Sequence, residues 1–124
     1  MQNNWGVYPW FLEDGIDKIH PDDLDNFKRE SNNCKVFECL GEEHPFIIIK
    51  YGDKSFRVKN DVFRSVPAPK YHIGDRVELL QNSVSNLVIS DIMWHYEKKE
   101  HYYHISVNGK KKSKRYFEAE FRNP

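Results

Sequence analysis

Cysteine is scarce in this chain of 124 residues, and its scarcity removes whole classes of chemistry. Only Cys34 and Cys39 are present. Five residues apart on one strand they would point to opposite faces, so no disulfide is expected between them. Two cysteines without a framework suit a reducing cytoplasm. Long apolar runs are missing as well. The longest is FIII at 46–49, far below the roughly 20 residues of a membrane helix, so no membrane partner is expected. The amino end, MQNNWGVYPWFL, lacks a basic start, and Gly6 and Pro9 interrupt its apolar residues. That is not the pattern of a secretory signal. Net charge is absent too: 19 Lys and Arg balance 19 Asp and Glu. The molecule as a whole therefore exerts no bulk pull on nucleic acid or anionic lipid.

Catalytic signatures are also lacking. There is no G-x-S-x-G elbow and no glycine-rich phosphate loop. Cys34 and Cys39 have no flanking nucleophile signature and read as small core residues. The carboxylate pairs Asp22/Asp23 and Glu42/Glu43 stand in polar stretches, where solvation accounts for them. His95, His101 and His104 are close in sequence, but His101 and His104, three apart on a strand, point to opposite faces. Zinc needs about four converging ligands. The reading is a protein that is not an enzyme, with no metal and no cofactor.

What the chain does have is aromatics, at 15%, and an internal repeat. KSFRVKNDVFR at 54–64 aligns without a gap on KSKRYFEAEFR at 112–122. Lys54/Lys112, Ser55/Ser113, Arg57/Arg115, Phe63/Phe121 and Arg64/Arg122 are identical. A glycine precedes each copy (Gly52, Gly109), and a β-rich run precedes each glycine. Charge is also split. Residues 1–66 hold 9 Lys and Arg against 12 Asp and Glu, and residues 67–124 hold 10 against 7. One part is therefore acidic and the other basic, which would favour packing on each other or head-to-tail association.

The repeat and the stiff VPAP stretch divide the chain into an N-terminal lobe at 1–66, a linker at 67–70 and a C-terminal lobe at 71–124. In the first lobe, WGVYPWFL at 5–12 reads as an irregular aromatic clamp, because Gly6 and Pro9 break a helix. Pro21 and the aspartates after it start a short helix near 21–29, with Leu24 and Phe27 on one face. Strands follow at 35–40, at 46–51 (read as buried on both faces) and around 56–58, and then a helical turn at 60–63. In the second lobe, a strand enters at Val77, a polar loop covers 81–86, and a long strand runs over 87–96. Strict alternation there puts Val88, Ile92, Trp94 and Tyr96 on one face and Ile89, Asp91, Met93 and His95 on the other. Asn108-Gly109 signals a type I′ hairpin turn. A strand at 114–117 and a helical turn at 118–121 close the lobe.

The fold expectation is mainly β: two SH3-like small barrel lobes, the first one incomplete, with one short helix near 21–29. Strand, loop, long hairpin, short strand, single helical turn and last strand resemble the SH3-like small barrel. The GDRV entry, the DIMWHY strand, the NGK turn and Phe121 resemble Tudor, KOW and bacterial SH3-like domains over residues 71–122. In the first lobe the helix would take the place of the opening strand. With WGVYPW, HPDDL and the PAP linker, the whole chain also resembles a family of short, uncharacterised bacterial proteins, a resemblance that brings no catalytic residues.

Two binding surfaces stand out. Trp5, Tyr8 and Trp10 offer an aromatic groove, or else core packing, and Trp94 belongs with them as a ligand residue if it is exposed. Lys110, Lys111, Lys112, Lys114 and Arg115, with Tyr102, Tyr103 and Tyr116 nearby, offer phosphate contacts and base stacking. They could equally be a hairpin edge guarded by lysines. By alternation, Lys112 and Lys114 face away from Lys111 and Arg115. The leading expectation is a non-enzymatic module that binds a protein partner, of adaptor or immunity type, through an aromatic surface or a cleft between lobes. The alternatives are a nucleic-acid-binding barrel that uses the basic hairpin 110–115, and an unrecognised small hydrolase or metal protein.

Overall fold

The computed structural model describes residues 4–81 and 86–124, so the interior of the 81–86 loop lies outside the described residues. The chain divides into two compact units, Met1–Ala68 and Pro69–Pro124. Among the described residues it is mainly β, with two antiparallel sheets, one short α-helix and several 3-10 turns.

The first unit is built on β1 (Trp5–Val7), β2 (Val36–Glu43), β3 (Phe46–Tyr51), β4 (Lys54–Val58) and β5 (Arg64–Ser65), ordered β4-β3-β2-β1-β5. Sequence reasoning makes 5–12 an irregular clamp and gives the opening-strand position to the helix. In the structure Trp5-Gly6-Val7 is that strand, hydrogen-bonded to β2 on one side and β5 on the other. The helix α1 (Leu24–Lys28) sits in the long connection between β1 and β2. Gly6 is what the position needs. A Cβ there would lie 2.5 Å from the Phe63 ring and 2.5 Å from the Arg64 carbonyl oxygen, so only a bare backbone lets the chain after the 3-10 turn close onto β1.

Phe27 of α1 centres the core. Its ring meets those of Tyr8 (5.7 Å), Trp10 (5.9 Å), Phe37 (6.1 Å) and Phe56 (5.1 Å). Buried Tyr and Trp rings need partners for their polar edges. The Tyr8 hydroxyl donates to the Lys59 carbonyl at 2.7 Å, and the Trp10 indole N–H donates to the Gly15 carbonyl at 2.9 Å. Strand β3 has a single core face, contrary to its continuous apolar appearance. Ile47, Ile49 and Tyr51 are buried, Phe46 and Ile48 are half-buried, and Lys50 is exposed.

The start of α1 is pinned to β4 by charge. Asp23 accepts hydrogen bonds from the Arg57 backbone N–H (2.8 Å), Nε (2.9 Å) and Nη2 (3.1 Å). Those bonds hold its carboxyl below the usual carboxylate range. The chain at 18–20 lies along the free edge of β4. His20 N–H donates to the Arg57 carbonyl at 2.9 Å, and Lys59 N–H donates to the Lys18 carbonyl at 2.7 Å. An edge that would otherwise pair with another chain is thereby covered.

The second unit holds β6 (Arg76–Leu79), β7 (Leu87–His95), β8 (Glu100–Val107), β9 (Lys110–Lys111), β10 (Tyr116–Phe117) and β11 (Phe121–Arg122). The order is β10-β8-β7-β6-β11, with β9 also on β8. This is the order of the first sheet. The repeat marks equivalent places in it. The 3-10 turns Asn60–Val62 and Glu118–Glu120 each begin six residues after the first lysine of their copy, and Phe63 and Phe121 each end one. Asn108 and Gly109 have φ of +52° and +80°, as a type I′ turn requires.

Alternation fails along β7. The register shifts between Ile89 and Asp91, and a bulge of this kind moves later side chains to the other face. Leu87, Ile89, Ile92 and Trp94 are consequently all core residues. Ile92 stands opposite Tyr103 and Trp94 opposite His101, so Trp94 and Tyr103 share a face without being cross-strand partners.

Phe27→Ala should destabilise the protein by about 3–5 kcal/mol, by loss of burial and the cavity left. Gly6→Ala should cost about 1–3 kcal/mol by overpacking. Denaturant melts measure both, and unchanged midpoints would contradict the packing described. Because the Asp23 pKa is lower folded than unfolded, its contribution is complete above the unfolded carboxylate value of about 3.9 and is lost as pH falls through the lower folded value. Asp23→Asn should therefore lower the melting temperature at neutral pH and narrow its gap to the parent in that acid range. A gap independent of pH would refute the assignment.

Candidate functional site

The expected groove residues divide sharply by burial. Tyr8 is fully buried and Trp10 is 5% exposed, and both are committed to the Phe27 cluster. Trp94 is 8% exposed, with its ring 5.0 Å from that of His101. These three are core residues and do not line an open groove, because α1 and the β7 bulge turn them inward. Trp5 is half-buried on β1, opposite Glu38 of β2.

The basic segment is placed differently. Lys110, Lys111, Lys112, Lys114 and Arg115 are all exposed. Lys111 Nζ lies 3.0 Å from the buried carboxylate of Asp91, and Arg115 stacks 5.2 Å over the Tyr102 ring. Lys114 lies over Tyr116 at 5.1 Å, and the Lys112 N–H donates to the Ile105 carbonyl at 2.8 Å. Tyr116 is opposite Tyr103 of the core face, and Phe117 is opposite Tyr102 of the other face. Lys111 and Arg115 thus share the face that carries Tyr102, and Lys114 falls on the opposite side.

That face of β7, β8 and β10 gathers four rings. His95 lies 6.2 Å from Tyr102 and 5.9 Å from Phe117, Tyr102 lies 6.1 Å from Phe117, and His104 lies 5.9 Å from Tyr102. Lys98, in the turn between β7 and β8, stands 4.5 Å over Phe117. Local hydrogen bonds orient both imidazoles. The Lys98 N–H donates to His95 Nδ1 at 3.1 Å, and His104 Nδ1 lies 3.1 Å from the Lys114 carbonyl. In neutral rings these contacts put the proton on Nε2 of His95 and on Nδ1 of His104. Carboxylates beside this face include Asp91, paired with Lys111, the exposed Glu100 opposite His95, and Glu120, whose carboxylate accepts a hydrogen bond from the Phe117 N–H at 2.8 Å. A row of rings capped by cations can stack on a planar group while binding an anion beside it.

Sequence reasoning finds Tyr102, Lys111 and Arg115 for this surface but misses Lys98 and Phe117, and it reads His95 and His104 only as possible metal ligands. Their common face depends on the bulge and on the β8–β10 register. Among the described residues, no group of three or more His, Cys, Asp or Glu is placed to hold a metal ion. The cysteines are free, and burial pushes the Cys34 thiol up. The first unit also has a hollow of about 580 Å³, whose lining mixes Asn4, Asn60 and Ser65 with Leu40, Ile47 and Phe63. No helix among the described residues is long and apolar enough to cross a membrane.

The two sheets and the cation-capped rings define a small, mainly β protein with a half-buried aromatic-basic face on its second sheet. The chain belongs to a family of unknown function, DUF6960, whose model matches residues 1–122. No curated protein and no solved structure matches it.

Lys98→Ala and Arg115→Ala should each cost no more than about 1 kcal/mol of stability, since exposed cation–π contacts contribute only that much. A loss of several kcal/mol in a thermal or denaturant melt would make these side chains structural supports instead of free contacts.

Proposed function

We propose that this protein is a non-enzymatic binding module of two SH3-like lobes, and that it meets an anionic macromolecule through the ring face of its second sheet. The SH3-like reading is supported by the order 4-3-2-1-5 in both sheets, with a 3-10 turn before the last strand each time. Such small barrels host many functions, so the surface has to carry the functional argument. The observation that carries it is the placement of Arg115 over Tyr102 and of Lys98 over Phe117 on one face. Cations held on rings are already oriented, so less side-chain freedom is lost when they meet an incoming anion.

The non-enzymatic reading is supported by the half-buried Cys34 thiol, whose pKa burial raises, which makes it a weaker nucleophile. A protein partner of adaptor or immunity type remains a second reading: an acidic segment could use the same cations. The residues that first favoured a protein groove, Tyr8, Trp10 and Trp94, are buried.

The test is retention on immobilised heparin. The protein should bind at low salt and elute as salt rises, and the double variant Lys98→Ala/Arg115→Ala should elute at lower salt while melting at nearly the same temperature. Flow-through of the parent protein at low salt, or unchanged elution of the variant, would overturn the reading.

A further inference from the structure

We propose that the ring face of the second sheet takes single-stranded nucleic acid, with bases on the rings and phosphates on Lys98, Lys111 and Arg115. This rests on the anionic-partner reading above and names the class of that partner. The four rings form a patch whose neighbours are 5.9 to 6.2 Å apart. An acidic peptide would satisfy the cations but gain nothing from the rings. A duplex would offer phosphates but keep its base faces stacked inside. Only an unpaired strand brings planar groups and anions in alternation, and every base has a face to stack.

The side chains suit that division of labour. Phe117, His95 and His104 are half-buried, so each keeps some surface accessible. Tyr102 is buried at 9% exposure, packed among His95, His104 and Phe117, so it supports the patch from beneath, while Arg115 over it is exposed. A guanidinium can stay parallel to a ring and still present its fork to two phosphate oxygens. Lys111 is held by Asp91 but is itself exposed, so it can share a second anion.

The experiment uses the full chain and three fluorescent probes: an oligo-dT of about twelve nucleotides, an abasic strand of the same length and a polyglutamate of matched charge. Oligo-dT should bind at least about tenfold more tightly than the abasic strand, because only it can stack. Its log K against log salt should fall with a slope near about −2, from three phosphate contacts. Phe117→Leu, which keeps every cation, should bring the oligo-dT affinity down towards that of the abasic strand. The comparison of probes on the parent protein stands whether or not that variant folds well. Equal affinity for oligo-dT and the abasic strand would overturn base stacking. Polyglutamate bound as tightly as oligo-dT would overturn the nucleic-acid assignment in favour of an acidic protein segment. In either case, continued retention on heparin would leave the anionic-partner reading standing, whereas loss of heparin binding would remove both.

Discussion

Each sheet depends on a first strand that is hydrogen-bonded on both sides. In the first unit that strand is three residues long, yet it joins β2 to β5. In the second, β6 joins β7 to β11. A strand in this position brings the last segment of a unit back beside the first, so the sheet curls instead of ending at its opening strand. The 3-10 turn before each last strand supplies the reversal, and an aromatic residue ends it. Close approach of the returning chain explains why Gly6 carries no side chain.

The long connection between β1 and β2 does three jobs in the first unit. It delivers Phe27 to the middle of a ring cluster, it covers the free edge of β4, and it places Asp23 against Arg57. The hydrophobic part supplies most of the stabilisation, because buried aromatic rings carry large areas. The ion pair fixes where α1 begins, and the backbone bonds at 18–20 close an edge that would otherwise invite pairing. A helix of five residues is too short to be stable alone. Its conformation is held by what it packs against.

In the second unit, the residues that could meet a partner are on the face the core does not use. The β7 bulge decides this division. By moving Trp94 to the inside, it leaves Met93 and His95 on the side of Tyr102. The edge strand then adds Phe117, the residue before it adds Arg115, and the turn adds Lys98. Lysines along 110–114 also discourage another strand from pairing there, so the same charges protect the edge and attract anions.

The sequence by itself determined the mainly β character, the short helix, the Asn108-Gly109 turn and the matching helical turns, read at 60–63 and 118–121 and each found one residue shorter. These rest on local rules: residues that fix φ, caps that favour a helix start, and alternation over a few positions. Alternation also separated Lys111 and Arg115 from Lys112 and Lys114. Only the tertiary structure decided that Trp5–Val7 is a strand, because three residues gain their conformation from partners far along the chain and carry no periodic signal of their own. Only it decided the burial of Tyr8, Trp10 and Trp94, since an aromatic residue looks the same in sequence whether it lines a groove or fills a core. The ring face joins residues from two strands, a turn and an edge. A single bulge, which leaves no mark in the residue pattern, reverses the parity of half of β7 and sets which of them meet.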